Sequence, residues 1–204
     1  MVISSPVFEA FLECRTKCWL RSCAEPYAGN AYADWVRAQN NAYYEAGRDR
    51  LFAMHPESDC AIAPRISKYP EDAKWRLAVD VHLQTNNLES RLHAVERIPP
   101  EGRGGCVKFV PHRFEFANKL TKNNKLLLAF DALVFSEVAG REMSLGKITH
   151  GDGHATLKVK LTSLAREVQK CFVLRFRTSF SLKSYCPALP AEPQFRKKSS
   201  ELGS

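Results

Sequence analysis

No stretch of this 204-residue chain approaches the roughly 18 uninterrupted apolar residues that a membrane-spanning helix requires. The richest window, residues 125–140, is broken by Asp131, Ser136 and Glu137. The N-terminus carries no apolar secretory core, no internal repeat is evident, and neither a phosphate-cradling glycine loop nor a nucleophile elbow is present. These absences argue against a membrane span, a nucleotide kinase and a triad hydrolase. Cysteine is present seven times, an odd number with no CxxC pair. That usage suits a reducing interior, so the expectation is a soluble cytoplasmic protein with no membrane partner.

The charge is what the chain has in excess. Thirty Lys/Arg stand against 22 Asp/Glu, a formal net charge of +8, which favours a polyanionic partner because cations near phosphates release counterions. Residues 171–204 hold six Lys/Arg and two Asp/Glu, half of the excess in the last sixth of the chain. This basic, proline-containing end reads as a poorly ordered tail behind one domain over residues 1–170.

Periodicity orders the rest. Residues 6–23 and 29–53 have helical spacing, the first with Phe8, Phe11, Cys14, Cys18 and Trp19 on one stripe, the second with Tyr32, Trp35, Val36, Tyr43 and Leu51, and Gly29-Asn30 lies between them as a stop and cap. Residues 56–72 contain three prolines and read as a loop. In KWRLAVDVHLQ, Trp75, Leu77, Val79, Val81 and Leu83 alternate with polar neighbours, which predicts a strand with one buried face. Further strands are expected over 88–98 and 106–116, where Pro111 argues for an edge, a bulge or a strand end. A helix over 123–139 stopped by Gly140, a hairpin around Gly151-Asp152-Gly153 and a last helix over 161–171 complete the order.

Helices, three strands, a helix and further strands form an α/β arrangement. The segments VFEAFLECRTKCWLRS (7–22), GNAYADWVRAQN (29–40), LESRLHAVER (88–97), NKLTKNNKLLLAFDALVFSE (118–137) and LGKITHGDGHATLKVKL (145–161) resemble a RecB-like nuclease family of the PD-(D/E)XK class, related to CRISPR-associated RecB-like exonucleases. The resemblance covers most of residues 3–170. It implies a restriction-endonuclease-like core with a mixed central sheet flanked by helices, Mg²⁺- or Mn²⁺-dependent hydrolysis of DNA, and, in a longer polypeptide, a cysteine motif and a second domain.

Such chemistry needs acids that gather a hard cation and a lysine that orients water or stabilises the phosphate. Here the register departs from the pattern. His93 and Arg113 fall where the resemblance implies acids, and Glu115 falls where it implies the lysine. Displaced acids offer an alternative set, with Asp80, Glu96 and Glu115 as metal ligands and Glu96, Glu115 and Lys119 as the catalytic group; equally, all three acids suit solvent-facing strand positions. Arg91, Arg97, Lys108 and Arg113 are the candidates for nucleic-acid contact. The family's iron–sulfur cluster would need Cys14 and three later cysteines. Only Cys186 stands in the expected region, so the set is incomplete, and Cys14, Cys18, Cys23, Cys60 and Cys106 read as small buried hydrophobes. The competing expectation is a non-catalytic nucleic-acid-binding or protein-interaction module, or a truncated fragment of a larger nuclease. His150 and His154 flank a plain turn, and His82 and His112 are lone strand histidines.

Overall fold

A helix apolar on nearly every side must be enclosed by protein, and the run expected over 123–139 is enclosed. In the computed structural model, which describes residues 2–22, 30–66, 73–100 and 106–172, this helix spans Lys122–Ala139, and Leu126 through Ala132 are all buried, as are Val134, Phe135 and Ala139. Thr121 and Asn124 form a reciprocal capping box at its start. Gly140 takes φ +69 at its end, a left-handed stop that glycine adopts without a Cβ penalty.

In chain order the elements are β1 (Ile3–Ser4), α1 (Ser5–Glu13), α2 (Arg15–Ser22), α3 (Ala31–Ala53), β2 (Cys60–Ile62), β3 (Leu77–Gln84), β4 (Leu88–Ile98), β5 (Lys108–Glu115), α4 (Lys122–Ala139), β6 (Leu145–His150), β7 (Ala155–Lys160) and α5 (Thr162–Cys171). The strands form one open mixed sheet in the order β2-β3-β4-β5-β6-β7, with β1 laid parallel along Leu88 and Glu89 of β4. β3, β4 and β5 are antiparallel neighbours, whereas β5 and β6 are parallel. A parallel pair needs a long crossover, and α4 supplies it.

Two apolar clusters cover the two faces. Phe8 and Phe11 of α1, the buried stripe of α4 and Val168 of α5 pack with Ala78, Val81, Leu92 and Val95. Tyr43 and Leu51 of α3 pack with Leu77, Val79, Ala94 and Phe114 on the other face. Helices therefore flank the sheet on both sides.

Several expectations need correction. The helix expected over 6–23 is two helices, because Cys14 is extended (φ −159) and Asn123 of α4 donates to the Leu12 carbonyl at the end of α1. Asn30 caps α3 as expected, accepting from the Ala33 amide. Yet Tyr32 and Trp35 are exposed, and only Tyr43, Gly47 and Leu51 of α3 are buried. The loop expected over 56–72 contains a 3-10 turn at Glu57–Asp59 and strand β2, with residues 67–72 outside the described ones. Pro111 lies in an interior strand, opposite Val95. It is tolerated because the ladder to β6 begins one residue later, at His112. The hairpin forms, with positive φ at Gly151 and at His154. Residues 173–204, nearly all of the expected tail, lie outside the described residues.

Gly47 decides how closely α3 approaches the sheet. A Cβ there would stand 2.3 Å from Cδ1 of the Phe114 ring. In a free helix Gly→Ala stabilises by about 1 kcal/mol, but here the rigid ring must be displaced. Gly47→Ala is expected to destabilise by about 1–3 kcal/mol in urea unfolding, with recovery in the Gly47→Ala/Phe114→Leu double variant. A stabilised single variant would show that α3 is not seated on Phe114.

Candidate functional site: a cleft where two strands part

β4 and β5 run together from Ile98↔Lys108 to Ala94↔His112 and then part. β4 continues against β3, while Arg113–Glu115 continue against β6. In the fork the Phe114 amide donates to Nδ1 of His93 at 3.0 Å, a side chain replacing the lost backbone partner. A cleft of about 580 Å³ opens there, lined by residues from α1, α3, β3, β4 and β5.

The wall toward α3 is built by an irregularity. Leu77 and Val79 face α3, but Val81 and Leu83 belong to the opposite cluster, so the strict alternation expected along β3 breaks between them. Asp80 is the cause: its φ is +54, a left-handed conformation that aspartate tolerates better than most residues. Its partner strand breaks at the same level, since Leu92 faces α4 whereas Ala94 faces α3. Tyr44 of α3 donates to Asp80 Oδ1 at 2.5 Å, and its ring lies 4.9 Å from that of His93. Burial and the neighbouring Asp80 raise the Tyr44 phenol pKa. Burial holds His93 well below the ordinary imidazole range, reinforced by the charges of Arg113 and His112. A neutral His93 that accepts at Nδ1 carries its proton on Nε2.

The wall toward α4 is a closed charge network. Asp131 is fully buried; its Oδ1 accepts from Ser5 and from Ser90, and its Oδ2 from Arg113. Arg113 Nε also donates to Glu115 Oε1 at 3.1 Å, and Asn124 donates to Glu115 Oε2 at 3.3 Å. Burial opposes the Arg113 charge, but Asp131 and Glu115 more than offset it and raise its pKa. Glu9 of α1 also lines the cleft; desolvation raises its pKa, and Arg113 opposes that rise.

The expected metal set is not assembled. Asp80 and Glu115 line the cleft, but Glu96 does not. Glu96 is bound by Lys147 Nζ at 2.6 and 2.8 Å, with His112 Nδ1 3.7 Å away. Among the described residues no group of three His, Cys, Asp or Glu side chains is placed to hold a metal ion. The guanidinium of Arg113 lies against Glu115, so that carboxylate is already paired with a cation of the chain itself. Lys119 is exposed between β5 and α4 and does not line the cleft. Of the basic candidates, Arg91 and Arg113 line it, whereas Arg97 and Lys108 sit at the far end of the β4–β5 ladder.

Cys14 is exposed rather than buried, and its thiol pKa is lowered by the Lys17 and Thr16 backbone amides. Cys106 is exposed too, Cys60 is half-buried, and only Cys18 fits the expected buried hydrophobe fully. Cys23 and Cys186 lie outside the described residues. His82 pairs with Glu89 at 3.0 Å, and His112 with Thr149 at 2.7 Å. Sequence reasoning missed Glu9, Tyr44, Asp131 and Lys147. For Asp131 a signal existed, as it is the lone acid inside the apolar run 126–135; such a residue needs buried partners.

No protein-family model and no curated protein matches the chain. Among solved structures it is similar to the crystal structure of SSO0001, at 11% identity and a TM-score of 0.40, over 91% of this chain and 82% of that one. A likeness that loose transfers no activity.

Proposed function

We propose that this chain is a RecB-related, restriction-endonuclease-like core that holds DNA at the fork cleft without metal-assisted hydrolysis. The observation that carries this reading is the Arg113 guanidinium, bound on both sides by the Asp131 and Glu115 carboxylates. It supplies the positive charge that a cation would bring to such acids. The antiparallel β3-β4-β5 triplet, the α4 crossover and the parallel β6 support the PD-(D/E)XK core, because they follow the order that the resemblance implies. His93 and Arg113 then stand where that resemblance implies acids. The net charge of +8 and the exposed Arg91 at the cleft favour a polyanion.

Fluorescence anisotropy with labelled single- and double-stranded DNA, in Mg²⁺, Mn²⁺ or EDTA, tests this. Binding is expected to weaken steeply with salt, to ignore EDTA, to fall in Arg91→Ala and to leave the DNA intact. A second reading is favoured by the presence of Asp80 and Glu115 in one cleft. Metal-dependent cleavage that disappears in Asp80→Ala and Glu115→Ala would establish it and overturn the first. Absence of DNA binding at low salt would overturn both.

A further inference from the structure

The N-terminal half of α3 presents an exposed aromatic pair that belongs to neither apolar cluster of the described residues. Tyr32 is 72% exposed and Trp35 54% exposed, with ring centroids 6.1 Å apart and planes only 26° from parallel. Large aromatic side chains ordinarily contribute their area to a core, and α3 secures its own packing through Tyr43, Gly47 and Leu51 instead. The pair is also connected to the cleft. Residues at i and i+4 form a continuous ridge along a helix, and the ridge that begins at Tyr32 runs through Val36 and Asn40 to Tyr44. Asn40 and Tyr44 both line the cleft. At 1.5 Å per residue, Tyr32 lies about 12 Å along the axis from Asn40.

We propose that Tyr32 and Trp35 are a stacking platform for unpaired bases, so that a single strand lies along the α3 ridge and enters the cleft past Asn40 and Arg91. This rests on the reading of the chain as a nucleic-acid-binding core and adds the strand state of the ligand. Near-parallel exposed rings offer flat apolar faces, which every unpaired base can meet regardless of sequence. In a duplex the base faces are already occupied by their neighbours, and the rings find nothing to stack on. The basic balance of the chain supplies phosphate attraction, and the platform supplies the preference among nucleic acids.

The test compares anisotropy of a labelled 15-mer oligothymidylate and of a labelled duplex for the wild type, Tyr32→Ala, Trp35→Ala, the double variant and Arg91→Ala. Both rings are exposed, so the substitutions leave the fold intact, which circular dichroism checks. The expected result is at least a tenfold loss of single-strand affinity in the double variant with duplex affinity unchanged, and quenching of tryptophan emission by the oligonucleotide that is lost in Trp35→Phe. Equal losses for both ligands, or no loss, overturn the platform, while retained sensitivity to Arg91→Ala leaves the DNA-binding reading standing. If the wild type binds neither ligand, the parent reading itself fails. Self-association abolished by Trp35→Ala would assign the pair to a contact between copies and overturn the proposal.

Discussion

Asp131→Ala is expected to cost about 3–5 kcal/mol of folding stability, the usual consequence of removing one partner from a buried ion pair. The carboxylate is wholly inaccessible and holds Ser5, Ser90 and Arg113, so one substitution strands a guanidinium and two hydroxyls together. Those partners come from the start of α1, from β4 and from β5, so one side chain of α4 ties three elements together. Since a domain of ordinary stability has about 5–15 kcal/mol in total, this variant sits close to unfolding. Asp131→Asn provides the graded version: it keeps acceptors for the serines, loses the charge opposite Arg113, and should fall between wild type and Asp131→Ala in urea unfolding. Arg113→Met combined with Asp131→Leu should recover much of the loss, because well-packed apolar replacements of a buried pair are often neutral. A loss below about 1 kcal/mol in Asp131→Ala would mean that water reaches the network and that Arg113 is not held as a fixed cation.

That network also shows where sequence reading succeeds and where it stops. The helix ending at Gly140 is legible because its apolar spacing runs unbroken to a glycine stop, and the strand 88–98 is legible as a strand although its alternation breaks between Leu92 and Ala94. β3 is legible as a strand but not as two half-strands facing opposite ways, since the left-handed turn at Asp80 is a backbone property that leaves the apolar spacing undisturbed. At the break in the first helix, the Leu12 carbonyl is met by Asn123, more than a hundred residues distant and invisible to local spacing. The same holds for the site. Asp80, Glu115, Arg91 and Arg113 are identifiable one by one as chemically capable residues, and the cleft brings these four together. Their pairings are tertiary. Nothing local to Arg113 announces that Asp131 neutralises it, and nothing local to Glu96 announces Lys147. An assignment of metal ligands from residue type therefore selects Glu96, which the fold has already committed to another cation.

Glu96 gives the second large effect, and its sign is set by the direction of its pKa. Burial alone would raise the carboxyl, but the neighbouring His112 ring and the Lys147 ammonium outweigh burial and hold it at about 2, against an ordinary 4.5. A depressed carboxylate contributes stability that is fully present above the unfolded pKa and is lost as pH falls through the folded one. The contribution should thus be complete above about pH 5 and gone near pH 2, and by linkage it is on the order of 3 kcal/mol. Glu96→Gln removes the titration and leaves Lys147 without its partner. The variant is accordingly expected to be less stable than wild type at pH 7 and to converge with it as pH approaches 2. Urea unfolding of both proteins between pH 2 and pH 7 measures the difference directly, and subtraction cancels the acids they share. Parallel curves across that range would show that Glu96 titrates normally, which would free it from Lys147 and restore it as a candidate ligand. Converging curves, together with intact DNA binding in Glu96→Gln, would place Glu96 in the structural support of the sheet, outside the chemistry of the cleft.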